Sequence, residues 1–100
     1  MVSQLRIFTI NRGRMDEFIE AWLEGVYPLR RAHGFTIENA WVTEDRNQFL
    51  WILSYDGPEE WESKDTAYYA SEERNVLDPD PRQYIARSER RFITPVVLRS

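Results

Sequence analysis

The sequence predicts an α+β domain of order β-α-β-β-α-β, built on a four-stranded antiparallel sheet. Three observations carry this prediction. Ser3–Ile10 alternates at strand period and runs into a turn containing Gly13. The stretch that follows repeats its apolar positions at helical period as far as His33-Gly34. Two further strand-like runs, Thr36–Thr43 and Phe49–Tyr55, are joined by Glu44-Asp45-Arg46-Asn47, a hairpin signal. At 100 residues the chain is one domain, residues 1–100.

In the first strand Leu5, Ile7 and Thr9 face one side, and Arg6, Phe8 and Ile10 the other. Both sides carry apolar groups, so both are expected to be covered. The first helix shows one stripe of Met15, Phe18, Ile19, Trp22, Val26 and Leu29. Asp16, Glu17, Glu20 and Glu24 suit its positive end, and Arg30, Arg31 and His33 its negative end. Gly34 is the natural residue after its last turn. Pro28 cannot donate to the Glu24 carbonyl, so a kink or break is expected near residues 24–28. Such a kink lifts the helix from the sheet and leaves room for a cavity.

The second strand divides Ile37, Asn39, Trp41 and Thr43 from Glu38, Ala40 and Val42. The third is the most hydrophobic segment and the expected centre of the sheet. A second helix is expected from Pro58, with Trp61, Asp65, Tyr68 and Tyr69 along one side. Ser71–Leu77 reads as a further helical turn and Pro81–Ile85 as a short helix. Ala86–Leu98 reads as the closing strand. It alternates Ser88, Arg90, Phe92 and Thr94 with Arg87, Glu89, Arg91 and Ile93.

Composition narrows the function. The net charge is −4 with both signs interspersed, which argues against nucleic acid as a partner. There is no cysteine, so disulfides, thiolate catalysis and thiolate-bound metal are excluded. One histidine does not make a zinc cluster, and Asp78–Asp80 matches no calcium loop. No metal and no cofactor are therefore expected. The opening MVSQLRIFTI has no signal-peptide pattern, and no apolar run spans a bilayer. We expect a cytoplasmic protein without a membrane partner. Four Trp and five Tyr in so short a chain favour an interface or a ligand pocket.

The residues "LRIFTINRGRMDEFIEAWLEGVYPLRRAHGF" resemble the opening of NIPSNAP-type domains. The shared pieces are Leu5-Arg6, Gly13, Pro28-Leu29-Arg30, His33-Gly34-Phe35 and Trp41. "WILSYD" and "DPDPRQYIARSERRFITPV" resemble the remainder, so the likeness covers about the whole chain. It implies a ferredoxin-like subunit that pairs sheet to sheet with a second copy as a dimeric α/β barrel. It also implies a superfamily of cofactor-independent monooxygenases, lactone isomerases, polyketide-tailoring enzymes, haem proteins and members without known chemistry. Related domains often carry an Arg pair in the second helix, where this chain has Glu60, Glu62 and Lys64. Tyr55 and Trp61 are similar in spacing to a pocket-lining pair of the small oxygenases in that superfamily.

Two functions from different classes follow. The first is an oxygenase or isomerase acting on a small hydrophobic, aromatic or polyketide-like molecule. In it Tyr55 and Trp61 orient the ring, with Trp51, Tyr68 and Tyr69 completing an aromatic pocket. A strand arginine, Arg6, Arg90 or Arg91, stabilises an enolate, and His33 or a tyrosine moves the proton. The second is a non-catalytic binding or interaction domain. Each residue also has a plainer role: His33 as a helix-end cap, the arginines as ion-pair partners, and the aromatics as core.

Overall fold

The computed structural model describes residues 1–99. The element order is β1 (Val2–Ile10), α1 (Met15–Ala21), a π turn (Trp22–Val26), α2 (Tyr27–Ala32), β2 (Thr36–Val42), β3 (Gln48–Tyr55), α3 (Trp61–Ala70), α4 (Glu72–Asn75), a 3₁₀ turn (Pro81–Tyr84) and β4 (Ile85–Ile93). All strand pairs are antiparallel, in the order β2-β3-β1-β4. This is the expected ferredoxin-like α+β arrangement, with β3 and β1 at its centre.

The register divides the sheet cleanly by residue parity. Gln4, Arg6, Phe8 and Ile10 of β1 share the helix face with Phe49, Trp51, Leu53 and Tyr55 of β3. The buried core lies there, where Phe18, Trp22 and Val26 from the helical segments meet Phe49, Trp51 and Leu53. The Phe18 and Phe49 rings stand 5.0 Å apart, edge to face, and Trp22 meets Trp51 at 5.4 Å in the same way. On the opposite face, Leu5 and Ile7 pair with Ile52 and Leu50, and Trp41 also pairs with Leu50. Those four aliphatic side chains are only half buried, and Trp41 is exposed.

The expected break in the first helix takes a specific form. Tyr27 donates its N–H to the Trp22 carbonyl, five residues back, which defines a single π turn. Pro28, without an N–H, sits in the first turn of α2. One extra residue in the turn rotates everything downstream by about 100°. The inward stripe therefore runs Met15, Phe18, Trp22, Val26 and Arg30, and Leu29 turns partly outward. Arg30 is thus not a solvated helix-end charge but a buried one.

Two further boundaries differ from the sequence expectation. The second helix starts at Trp61 rather than Pro58, because Glu60 is extended and Asp56–Glu60 forms a loop. The closing strand ends at Ile93 rather than Leu98, and Val96, Val97 and Leu98 are exposed. Left-handed backbone at Gly13 (φ 78°) and Gly34 (φ 91°) makes the two tight exits that the sequence marks with glycine.

Phe18 is fully buried at the junction of β1, β3 and the helical layer. A Phe18→Ala variant should lose about 3–5 kcal/mol of unfolding free energy in a urea titration, with little change in slope.

Candidate functional site

A cleft of about 1080 Å³ opens between α3 and the β1–β4 side of the sheet. Its wall includes Phe8, Trp22, Trp51, Trp61 and Phe92, and its polar groups come from Gln4, Arg30, Asp65, Tyr69, Arg74 and Arg90. The aromatic wall follows from strand parity and from the stripe of α3. Trp61, Asp65, Tyr68 and Tyr69 lie at i, i+4, i+7 and i+8, so one side of α3 faces the sheet.

A network of charges lies under this cleft. Arg6 and Arg30 are each 1 % exposed. Arg6 donates from Nε to Gln4 Oε1 at 2.8 Å and from Nη1 to the Tyr69 hydroxyl at 2.9 Å. Its Nη2 reaches both Asp65 oxygens, at 3.2 and 3.3 Å. Arg30 donates to Asp65 Oδ1 at 2.8 Å. Arg90, half exposed, approaches Asp65 Oδ2 at 3.9 Å. One carboxylate thus serves guanidiniums from β1, α2 and β4. Losing one partner of a buried pair of this kind costs about 3–5 kcal/mol.

Aromatic faces complete the setting of Arg30. Its guanidinium lies 3.7 Å from the Tyr68 ring centroid and 4.7 Å from that of Phe35. Burial, and then the Arg6 charge, lower the Arg30 pKa, with Tyr69 and Asp65 opposing. Burial alone raises the Tyr69 pKa, but Arg6 and Arg30 together outweigh it and the net shift is downward. Burial raises that of Tyr68, and Arg30 and Arg74 offset only part of the rise. Two adjacent phenols are therefore tuned in opposite directions.

The residues singled out in the sequence fall into three groups. Trp51, Trp61, Tyr68 and Tyr69 line the cleft, and Arg6 lies directly beneath it, bonded to its walls. His33 sits behind the wall, packing edge-on against Tyr68 at 5.4 Å. Tyr55 and Arg91 lie elsewhere. Tyr55 donates to Glu59 Oε2 at 2.5 Å, and the Phe35 ring stands between it and Trp61, 5.5 Å from each. Arg91 pairs across to Leu5 and so lies on the face away from the helices, whereas Arg90 pairs with Arg6 on the cleft side.

Sequence reasoning missed Arg30 and Arg74 as site residues. Arg90, one of the three strand arginines, carries a signal, since alternation puts it on one face with Phe92. Arg30 had none, because its inward turn depends on the π turn. Among the described residues no three or more His, Asp or Glu side chains group as a metal site. No helix among them is long and apolar enough to cross a membrane.

Comparisons with known proteins agree with this fold. The family model described as NIPSNAP matches residues 3–98. A crystal structure of an uncharacterised NIPSNAP domain protein from Burkholderia xenovorans superposes with a TM-score of 0.83 at 16% identity, over 100% of this chain and 99% of that one. A NIPSNAP family protein from Agrobacterium tumefaciens gives 0.82 at 18% identity, over 95% and 92%. A Nitrosomonas europaea protein provisionally assigned as an antibiotic biosynthesis monooxygenase gives 0.70 at 11% identity, over 97% and 100%. At such identities the structural likeness speaks for the fold alone. No curated protein matches the chain.

The two tuned phenols give a direct test. A folded-state pKa below the ordinary 10.0 means that Tyr69 contributes stability above pH 10, lost as the pH falls through its folded value. A titration followed by phenolate absorbance should show one tyrosine ionising before the usual range. Tyr69→Phe should remove that leading limb and Tyr68→Phe a trailing one. A leading limb that survives in Tyr69→Phe would contradict the electrostatic assignment.

Proposed function

The chain belongs to the NIPSNAP family, and from that premise we propose that it is a homodimeric small-molecule-binding domain acting as a cofactor-independent oxygenase or isomerase. Its substrate is a flat, hydrophobic, aromatic or polyketide-like molecule. The observation that carries this reading is the coincidence of an aromatic cleft with a buried Arg6–Asp65–Arg30–Tyr69 network at its base. Aromatic walls hold a ring. Preorganised guanidiniums stabilise negative charge that develops on it, and burial strengthens the effect.

Tyr69 is the residue best suited to move a proton. Its hydroxyl accepts from Arg6, and its lowered pKa makes the phenolate more accessible than in a free tyrosine. In the proposed step the phenolate takes a C–H proton from a carbon next to a carbonyl. The electron pair stays on the substrate as an enolate, held by the Arg6 and Arg30 charges. Return of the proton to a different carbon is isomerisation. Capture of the enolate by dioxygen is the oxygenase branch.

A second reading, a non-catalytic binding domain, is favoured by one observation. His33 and Tyr55, expected to move the proton and to orient the ring, do not line the cleft. Exchange of the α-protons of tetralone in heavy water separates the two readings. Catalysis predicts accelerated exchange that falls about a hundredfold or more in Tyr69→Phe. Binding of tetralone with no acceleration would leave only the second reading.

The homodimer is proposed from the uncovered sheet face. Leu5, Ile7, Leu50, Ile52 and Trp41 form a contiguous apolar surface through their cross-strand pairs. A surface of that kind marks an association site. Sedimentation velocity should give twice 12.0 kDa for the native chain. Ile52→Arg should give a monomer, and a native monomer would refute the sheet-to-sheet pairing.

A further inference from the structure

Among the described residues, five buried side-chain polar atoms have no hydrogen-bond partner: Trp22 Nε1, Trp51 Nε1, Tyr68 Oη, Arg30 Nε and Arg74 Nε. All five residues line the same cleft. Four of these atoms are N–H groups that can only donate, and the phenol can donate as well. A buried donor left unmet costs about 1–3 kcal/mol, and these five sit in the cleft wall with almost no exposed surface of their own, so an acceptor gains them as the wall gives way around it.

Charge indicates what kind of acceptor. Arg6 and Arg30 are buried against a single carboxylate, Asp65. Two cations and one anion leave an excess of one positive charge. Arg90 adds a third cation to the same carboxylate, but solvent screens it. Arg74 is buried as well, and its partner Asp80, at 3.5 Å, is shared with Arg82. Water could meet the N–H groups without supplying the missing charge. An anion supplies both. The excess of one in the buried network favours a monoanion.

The seat for the charge is contiguous with the seat for a ring. Arg30 stacks on Tyr68, Tyr68 meets Tyr69 at 5.2 Å, and Arg74 lies 5.8 Å from the Tyr69 ring. Trp22 and Trp51 adjoin one another in the same wall. We infer that the cleft takes an aromatic carboxylate, with its carboxylate toward Arg30, Arg74 and Tyr68 and its ring against the tryptophans. A planar two-oxygen anion suits guanidinium N–H donors geometrically. The inference rests on the small-molecule reading above and gives that molecule its charged group.

Calorimetric titration of the full chain with naphthoate, naphthamide and naphthyl phosphate at neutral pH tests it. Naphthoate should bind at least about tenfold more tightly than naphthamide, which has nearly the same shape without the charge. Arg74→Gln should remove most of that difference, by weakening naphthoate much more than naphthamide. Tyr68→Phe, which keeps the ring under Arg30, should remove part of it. Equal binding of naphthoate and naphthamide would overturn the carboxylate and leave the small-molecule reading standing. Tighter binding of naphthyl phosphate would replace the carboxylate with a phosphate ester. Failure of all three to bind would overturn the small-molecule reading itself, and the carboxylate with it.

Discussion

The carboxylate of Asp65 is the constraint on which the rest of the structure depends. It accepts from Arg6 on β1 and Arg30 on α2, and Arg90 on β4 approaches it. The carboxylate itself comes from α3. Four elements distant in sequence are thus tied at one point, from inside the helical layer. Two of the three cations lie out of water, where an unpaired guanidinium is costly. The position of α3 over the sheet is therefore set by charge as much as by packing. Trp61 and Tyr69, which α3 also carries, are placed in the cleft by the same tie.

The π turn makes that tie possible. A straight helix from Met15 to Ala32 would have carried Leu29 inward and left Arg30 toward solvent. One inserted residue exchanges them. Leu29 keeps only a partial contact at the edge of the core, and a cation is gained beneath the aromatic wall. Pro28 stabilises the exchange, because an α-helical ladder could not have continued through it in any case. The cost of the irregular turn is recovered in the ion pair and in the stacking of Arg30 on Tyr68.

These facts explain what could and could not be read from the residues. Element order was legible because apolar periodicity is a local property. The break near Pro28 was legible because proline chemistry is local too. The rotation that the break causes was not, since it depends on which carbonyl Tyr27 chooses. The pairing of Tyr55 with Trp61 failed for a related reason. A spacing of six implies proximity only if the connection is regular, and after the loop Asp56–Glu60 each of the two rings packs on Phe35, 5.5 Å from it. Choosing between Arg90 and Arg91 required knowing which face of β4 meets the helices. Both faces carry arginine, so the pairing of Arg6 with Arg90 had to decide it. The aromatic and acidic stripe of α3 was the clearest signal of the site, since a helix side with Trp61, Asp65, Tyr68 and Tyr69 is neither simple core nor simple surface.

Strand parity finally connects the cleft to the surface proposed for self-association. On β1, Arg6 and Phe8 belong to the cleft side, while Leu5 and Ile7 belong to the open face. On β3, Trp51 belongs to the cleft and Leu50 and Ile52 to the open face. Slipping β1 by one residue would bury Leu5 and Ile7 under the helices and strand Arg6 on the apolar face. The buried guanidinium therefore fixes register as well as position: only one pairing lets Arg6 reach Asp65. A charge suited to a ligand on one side of the sheet thereby keeps the β1–β3 centre of the other side apolar, with Arg91 and Glu89 of β4 beside it, and covering that side with a second copy would leave the cleft untouched.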